Sequence, residues 1–465
     1  MRTLRELDWS EERLLETDRV ETEKALDQLL AQGVVEEIPA DSVDGVKHLT
    51  TRWEKRWRMR GGKWQYKVRF VGGEYKWQEF REDLYAPGAS HCTSRIIDYL
   101  ALKKGETTFA FDAIDAYFQA PETEDVVVLE DAGKDTNIKW KLLKQLPGRR
   151  PAGQRWVDHL AGILVNELGF MRSSRSPQFY WSQSRQVAME VHMDDFHGCC
   201  LDESLEPFRK ELAEKIRFRG EETRVGLAYE HLKRVRVREE GYTMISPNIR
   251  YLDYVVKLLG LEGAKPVPTP GVASHRIAMS CSTPLTAEES AKYRSSVGAL
   301  LYYALDREYV QYMVSCLGMC IKEPTEAEMC ALKRVVRDLL GTKNAAIRFE
   351  IRGRSDRAVI AGWADSDWAG DVSTRRSRSS GHIEIDGCPV SGFSRRQSVV
   401  ATSSGVAEFC ALCAVGEEVM HVQDLLQFFD VECSSTLYSD SVAARGIARR
   451  EGVGKLKGLE VRMLW

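Results

Sequence analysis

Apolar and polar positions follow two periods along the chain, and these periods predict strands and helices in turn. TTFAFDAI (107–114) is a nearly continuous apolar run, which is typical of a short strand buried on both faces. QFYWSQSRQVAMEVHMDDFHGCCLD (178–202) predicts a strand, a turn, and a hairpin whose tip carries Asp194 and Asp195. RWVDHLAGILVNELGF (155–170) has helical spacing and ends at a glycine.

The flanking segments are periodic as well. Leu26, Leu29 and Leu30 share one stripe, so residues 1–45 are predicted to form one or two amphipathic helices. Residues 48–85 alternate around a Gly-Gly turn, which predicts a β-hairpin. The other predicted elements are helices at 90–103, 203–218, 286–305 and 325–341, an extended Pro/Gly/Ser-rich linker at 263–284, and a further α/β segment from Arg354 onward.

Composition narrows the protein class. The 465 residues suffice for about three domains. No apolar run reaches the ~18 residues that span a bilayer, and the first residues lack a secretory core, so we expect an intracellular protein without a membrane span. Eleven scattered cysteines favour a reducing compartment. Cys410 and Cys413 form a CxxC inside a predicted helix with no second pair, which favours buried apolar side chains over a zinc site.

Charge is uneven although the net charge is only −3. Residues 47–76 contain ten Lys or Arg against two acids, and Trp53, Trp57 and Trp64 are interleaved among them, with Trp77 directly after. Such a mixture suits a nucleic-acid backbone with unpaired bases. The alternative is a solvated hairpin whose tryptophans pack on a neighbouring element.

Three aspartates form the first candidate site. Asp112 ends a buried strand, and Asp194 and Asp195 tip a hairpin 82 residues later. An isolated Asp-Asp pair is usually a solvated turn. Three carboxylates that lie in one pocket, however, repel one another unless a cation lies between them, as in a two-metal phosphoryl-transfer site. Tyr117, five residues after Asp112, would either wall a sugar pocket or lie in the core.

Four further acids lie on separate elements near the C-terminus. Asp365 follows an apolar strand, Glu408 lies on a helix, Asp440 ends a strand and Glu460 lies in KGLEVRMLW. Any one alone is typical of a surface carboxylate, but together they would bind two Mg²⁺ for phosphodiester hydrolysis. No nucleophile arrangement and no phosphate-binding GxxxxGK[ST] loop accompanies them, which argues against covalent or ATP-driven chemistry.

Several strings, in order, resemble the reverse transcriptase–RNase H region of the Pol polyprotein of copia-type LTR retrotransposons. In the first half these are FDAIDAYFQAP, KLLKQLPGRRPAGQRWVDHLAGILVNELGF, RSSRSPQFYW and HMDDFHG, the last at the family's YVDD position. In the second half they are KPVPTPGV, YRSSVGALLYYALDRE, EPTEAEMCALKRVVRDLLGTK, WADSDWAGDVSTRRSRSSGHIEI, SSGVAEFCAL and LYSDSVAA. The resemblance covers roughly residues 48–465.

The resemblance implies an α+β right-hand polymerase with fingers, palm and partial thumb, followed by an α/β RNase H-like domain. The implied divisions are an N-terminal helical extension (1–45), reverse transcriptase fingers and palm (46–260), a linker and helical connection (261–353), and a C-terminally truncated RNase H-like domain (354–465). Strings typical of gag, protease and integrase are absent, so we expect a fragment of a polyprotein.

The resemblance also assigns residues, position by position. The polymerase metal ligands would be Asp112, Asp194 and Asp195, the substrate contacts Lys67, Arg69, Asp115, Ala116 and Tyr117, and the RNase H carboxylates Asp365, Glu408, Asp440 and Glu460. Tyr117 would reject a ribose 2′-OH, the backbone N–H groups of Asp115 and Ala116 would bind the triphosphate, and the two basic residues would clamp phosphates.

Four positions depart from the family pattern. His192 replaces the tyrosine before the aspartate pair, Pro151 replaces a glutamine expected to line the nucleotide pocket, Glu460 replaces an aspartate and Gly458 replaces a histidine. These departures bear on the polymerase pocket and on the end of the nuclease module.

The expected activity is RNA-directed DNA synthesis with cleavage of the RNA strand of hybrids. The implied cofactor is Mg²⁺, with Mn²⁺ as an alternative, and the implied partners are an RNA template, a DNA primer, RNA–DNA hybrid and dNTPs. The expected location is the cytoplasm, in a particle, and the nucleus. Two alternatives stay open: a decayed fragment that at most binds nucleic acid, and a protein that retains only the RNase H activity.

Overall fold

The computed structural model describes residues 10–43, 45–60, 63–77, 80–129, 137–223, 226–272, 282–353 and 355–450. Glu460, Gly458, the turn of the basic hairpin and the middle of the predicted linker lie outside these ranges. Within them, every helix is too short or too polar to cross a bilayer.

A six-stranded antiparallel sheet forms the centre of the first half. The strands are β5 (Thr107–Ala113), β8 (Met171–Arg172), β9 (Phe179–Ser182), β10 (Val187–His192), β11 (Asp195–Cys200) and β12 (Phe218–Thr223). They pair in the order β12-β5-β11-β10-β9-β8. Helices α3 (Ala152–Gly162) and α4 (Asp202–Ala213) supply Trp156, Leu160 and Phe208 to a core shared with Phe109 and Phe196 of this sheet.

A smaller sheet and a long hairpin precede it. Strands β1 (Val35–Pro39), β2 (Lys47–Leu49), β6 (Val126–Val128) and β7 (Ile138–Leu142) form the sheet in the order β1-β7-β6-β2. Strands β3 (Thr51–Arg60) and β4 (Lys63–Gly72) form the hairpin. Helix α1 (Glu11–Ala31) packs on them and buries Leu26 and Leu29.

A four-stranded sheet and a helical group follow. Strands β13 (Ala228–His231), β14 (Arg234–Glu239), β15 (Tyr242–Pro247) and β16 (Ile347–Glu350) pair in sequence order. The helices are α5 (Arg250–Leu259), α6 (Ala287–Tyr303), α7 (Glu308–Met319) and α8 (Glu326–Gly341). They share one apolar core, which includes Leu252, Val297 and Val335.

The C-terminal unit is a sheet covered by a long helix. Strands β17 (Ala358–Asp367), β18 (Arg378–Ile385), β19 (Cys388–Arg396) and β20 (Cys433–Tyr438) pair in the order β19-β18-β17-β20, with β17 and β20 parallel. Helix α9 (Ser404–Phe428) crosses this sheet, and α10 (Val442–Arg449) follows β20. Cys410 and Cys413 lie on α9, the first buried and the second half-buried.

Helix α2 (His91–Lys104) joins the two halves. It begins with a Ser90–Thr93 capping box and ends at Gly105 in the left-handed conformation, at φ 69°. Ile96 and Leu100 pack in one core with Trp181 of the central sheet and Ile360 of the C-terminal sheet. The central and C-terminal sheets are therefore packed together through one shared apolar core.

Most predicted elements form, and the differences have physical causes. The predicted 1–45 helix ends at Ala31, and the chain enters β1 because residues 35–39 pair with β7. The predicted 203–218 helix ends at Ala213, since Phe218 onward pairs with β5. Helices α5 and α7 were not predicted.

Candidate active sites

The central sheet places two candidate carboxylates side by side. Strands β5 and β11 are antiparallel, and Asp195 lies directly opposite Asp112 in their register. Asp194 lies in the turn that precedes β11, and its carbonyl accepts a hydrogen bond from the backbone N–H of Ala113 at 2.7 Å. The strand pairing thus brings the three residues to one edge of the sheet, as the sequence predicts.

The turn that carries Asp194 is held from behind by helix α3. Met193 has a positive φ of 57°, which a two-residue β-turn requires at its first position. The buried indole of Trp156 donates from Nε1 to the Met193 carbonyl at 2.7 Å. A Cβ on Gly153 would lie 3.3 Å from the Met193 methyl, so this glycine lets the helix approach the turn closely.

The three carboxylates disfavour one another's charge. Burial raises the pKa of Asp195 to about 6, and the neighbouring Asp194 and Asp112 carboxylates add to the increase. A divalent cation between the carboxylates would relieve this repulsion.

Arg219 forms an ion pair with the carboxylate of Asp112. It lies opposite Asp112 on the other side of β5, and its Nε donates to Oδ2 of Asp112 at 2.6 Å. A second guanidinium nitrogen contacts the same oxygen. Both side chains are partly exposed, so the pair competes with water and with any cation at this edge.

His192, the residue that departs from the family's tyrosine, has a defined position. Its Nδ1 accepts a hydrogen bond from the backbone N–H of Ala89 at 3.0 Å. A Cβ on Gly88 would lie 3.2 Å from its ring, so the loop before α2 packs closely against it. His192 and Asp195 face a cavity of about 360 Å³, which His231, Lys233 and Tyr302 also line.

The predicted substrate contacts lie around the same edge. Asp115, in the left-handed region at φ 49°, turns the chain from β5 into the short helical turn that holds Ala116 and Tyr117. Tyr117 is half-buried. Burial and the Asp194 carboxylate raise its pKa, while Arg69 lowers it, which places Arg69 in the same electrostatic environment.

The two remaining predicted contacts are more exposed. Lys67 and Arg69 both have exposed side chains on β4, two residues apart and so on one face of the hairpin. The Asp115 carboxylate accepts a hydrogen bond from Nε2 of Gln28 at 2.7 Å, which fixes the turn against α1.

The tryptophans in and after the basic hairpin differ in whether they are packed or exposed. Trp53 packs against Phe70 at 4.9 Å between ring centroids, and Trp57 packs against Tyr66 at 4.8 Å, both across the hairpin itself. Trp53 also packs on the core that α1 shares with the small sheet, as the alternative predicts. Trp77, by contrast, is 81% exposed.

The C-terminal sheet brings three of its four predicted acids together. Asp365 on β17, Glu408 on α9 and Asp440 after β20 each offer a carboxylate oxygen, and these oxygens lie within 4.8 Å of one another. The fourth predicted acid, Glu460, lies outside the described residues. The parallel pairing of β17 with β20 explains the convergence, since both strands end at the same edge.

The electrostatics of this cluster resemble those of the first. Burial raises the pKa of Glu408 to about 7, and Asp365 and Asp440 add to the increase. Its Oε2 is buried without a hydrogen-bond partner. Three converging oxygens and an unpaired buried carboxylate oxygen suit a hard divalent cation.

Two residues that act on the first site were missed in the sequence. Arg219 lies in a strand that begins at Phe218, the last residue of the predicted 203–218 helix, and no strand was predicted at residue 219. Trp156 was placed correctly on a helix, but only the tertiary packing reveals its hydrogen bond to the turn.

Comparison with known proteins finds relatives that match most of the chain. The retrovirus-related Pol polyprotein from transposon RE1 of Arabidopsis thaliana is 27% identical over 406 residues, which are 84% of this chain and 27% of the relative. The Pol polyprotein from transposon TNT 1-94 of Nicotiana tabacum is 25% identical over 422 residues, covering 86% of this chain and 31% of the relative. The chain thus spans less than a third of each relative's length.

Solved structures agree on the fold. A foamy viral protease-reverse transcriptase, determined in complex with double-stranded DNA, superposes with a TM-score of 0.54 over 95% of this chain and 66% of that chain, at 12% identity. No protein-family model matches the sequence. The homologues of this chain are thus retrovirus-related Pol polyproteins of copia-type retrotransposons, as the sequence motifs indicate, and its fold is similar to that of a retroviral protease-reverse transcriptase.

Proposed function

We propose that this chain is the reverse transcriptase–RNase H region of a retrotransposon polyprotein. In this proposal it extends a DNA primer on an RNA template and cleaves the RNA strand of the resulting hybrid. The observation that carries the proposal is the register of β5 and β11, which places Asp112 opposite Asp195 with Asp194 in the adjoining turn. The central sheet would be the palm, the basic hairpin part of the fingers, and the helical group the connection.

The donor sets fit Mg²⁺ at both sites. Asp112, Asp194 and Asp195 would hold it in the palm, and Asp365, Glu408 and Asp440 in the nuclease. The raised pKa values of Asp195 and Glu408 and the unpaired Oε2 of Glu408 support this fit, because burial and neighbouring acids disfavour the charged form of both carboxylates. The bound ions would supply charge stabilisation to the attacking and leaving oxygens.

The surrounding residues would position the substrates. Tyr117 would wall the sugar pocket, and the basic pair Lys67 and Arg69 would contact the triphosphate from the hairpin. Large exposed rings between the hairpin and α2 offer stacking surfaces for unpaired template bases. These rings are Trp77, Phe80 and Tyr85, which are 81%, 86% and 68% exposed.

Primer extension on poly-rA/oligo-dT with Mg²⁺ tests the polymerase part. We expect extension by the wild-type chain and a loss of at least about a hundredfold in Asp194→Asn, since removal of a group that stabilises the transition state costs about this much. Asp27→Asn, an exposed acid on α1, is the matched control. Extension by the wild type that does not exceed that of Asp194→Asn would overturn the proposal.

A second candidate keeps only the nuclease active. The specific observation in its favour is that the Asp365, Glu408 and Asp440 oxygens converge within 4.8 Å, whereas Arg219 occupies the Asp112 carboxylate. A hybrid with labelled RNA separates the two. Cleavage that Asp440→Asn abolishes and Asp356→Asn leaves intact, with no primer extension, supports this candidate over the first.

A further inference from the structure

A buried cluster of one glutamate and two histidines lies behind the candidate polymerase site. Glu190 on β10 lies directly opposite His197 on β11, and His231 ends β13. All three side chains are nearly inaccessible, at 0%, 0% and 3% exposure. Neither proposed activity uses any of them.

The three side chains converge on one point. Oε1 of Glu190 lies 3.4 Å from Nδ1 of His197 and 3.1 Å from Nε2 of His231. The two imidazole rings stack, with centroids 4.5 Å apart. In a tetrahedral zinc site with bonds of about 2.0–2.1 Å, ligand atoms are about 3.3–3.4 Å apart. The two carboxylate–imidazole distances are close to this value, and one ligand atom from each residue lies within 4.8 Å of the other two.

The carboxylate is incompletely satisfied without a cation. Oε1 of Glu190 accepts from Ser94 at 2.5 Å in addition to facing the two rings, whereas Oε2 is buried without any hydrogen-bond partner.

The outer contacts orient His197 as metal ligands usually require. Nε2 of His197 lies 3.1 Å from the Tyr229 hydroxyl, which in turn lies 3.4 Å from Oδ1 of Asp98. When that hydroxyl donates to Asp98, Nε2 of His197 must carry the proton, which leaves Nδ1 as a bare lone pair facing Glu190. An imidazole whose far N–H is held by such a chain is the common arrangement around protein-bound zinc.

We propose that Glu190, His197 and His231 form a site for a transition-metal dication, with Zn²⁺ the best fit. Two nitrogen ligands and one carboxylate favour Zn²⁺ over Mg²⁺, which prefers oxygen ligands only. The site would tie the β10–β11 hairpin, which carries the aspartate pair, to strand β13. His231 also lines the cavity that His192 and Asp195 face, which gives the ion a route in.

Cobalt substitution of the full chain tests the site. The metal-stripped protein is titrated with Co²⁺ in the presence of millimolar Mg²⁺, which occupies the carboxylate-only sites. We expect one equivalent of Co²⁺ to give the intense visible absorption of four-coordinate Co²⁺. His231→Gln should abolish this absorption, and His48→Gln, an exposed histidine on β2, should retain it. The double variant Asp365→Asn/Asp440→Asn should also retain it, which excludes the nuclease cluster.

Two results would overturn the proposal. The first is the lack of that absorption in the wild-type chain, and the second is its survival in a folded His231→Gln variant. Should His231→Gln fail to fold, X-ray absorption on the zinc-loaded wild type decides. Two imidazole nitrogens at about 2.0 Å support the site, and a shell of oxygens alone contradicts it.

Discussion

Arg219 is paired with Asp112 across the edge of the central sheet, with Nε of the arginine 2.6 Å from the carboxylate. An ion pair at this position competes with a divalent cation for the same oxygen. A partly exposed pair of this kind contributes about 0.2–1 kcal/mol, which corresponds to a factor of about 1.4 to 5 in cation affinity.

Arg219→Gln should therefore lower the Mg²⁺ concentration that gives half-maximal primer extension, by about 1.4- to fivefold. A magnesium titration of the extension rate measures this. Arg217→Gln, two residues earlier and paired with Gln32 rather than an acid, is the control. A higher or unchanged midpoint in Arg219→Gln would show that the arginine does not compete with the metal.

Trp156→Phe should separate the two activities. The substitution removes the Nε1 donor and leaves the Met193 carbonyl of the Asp194 turn without this bond, at a cost of about 1–3 kcal/mol. We expect slower primer extension with hybrid cleavage unchanged, because Asp365, Glu408 and Asp440 lie in the C-terminal unit rather than on the central sheet. Parallel assays of both reactions on one preparation provide the comparison, and an equal loss of both would refute a local effect.

His192→Phe tests the histidine that replaces the family's tyrosine. It removes the acceptor of the Ala89 N–H and should lower the free energy of unfolding by about 1 kcal/mol. Urea denaturation measures the loss. His159→Phe, a histidine on α3 that faces no backbone donor in the described contacts, is the comparison. Equal changes in both variants would mean that the Ala89 bond contributes nothing specific.

Glu408 should make the stability of the metal-free protein depend on pH. Its pKa is about 7 in the fold against an ordinary value of 4.5, so the folded state holds the proton more tightly. Its contribution to stability is thus complete below about pH 4.5 and is lost as the pH rises to about 7. Melting temperatures recorded without metal should fall over this window.

Glu408→Gln should make the melting temperature less dependent on pH between about 4.5 and 7, while Asp356→Asn should leave this pH dependence as in the wild type. Added Mg²⁺ should stabilise the wild type more at pH 8 than at pH 5, because the carboxylate must lose its proton to bind the ion. If the wild type and Glu408→Gln showed the same pH profile, the assigned origin of the effect would be wrong.

The sequence predicted the strands that carry Asp112, Asp195 and Asp365 because each of these acids lies next to a nearly continuous apolar run. It predicted a hairpin with Asp194 and Asp195 at its tip because these two acids interrupt apolar runs, whereas the structure places Met193 and Asp194 in the turn and starts β11 at Asp195. Local pattern alone could not predict the partner of Asp112. Arg219 lies opposite it only through the register of β12, and the polar residues 219–222 of that strand show no apolar alternation.

The same limit applies to residues that meet across elements. Glu190 and His197 are polar positions inside otherwise apolar strands, which is a visible oddity in the sequence, but the convergence of His231 depends on packing between two sheets. Likewise, the shared core around α2 joins residues far apart in the chain, such as Leu100 and Ile360. The periodicity of apolar residues indicates which face of a helix or strand is buried. It does not indicate which other element covers that face.

A single reaction mixture distinguishes the proposed polymerase site from the proposed nuclease site. A primer annealed to RNA labelled on the template strand is incubated with dNTPs and Mg²⁺, so that primer extension and template cleavage are followed in the same tube. The account predicts both reactions for the wild type, loss of extension alone in Asp195→Asn, and loss of cleavage alone in Asp440→Asn. Extension that persists undiminished in Asp195→Asn, or its absence from the wild type, would contradict the assignment of the aspartates opposite one another on β5 and β11 as the polymerase site.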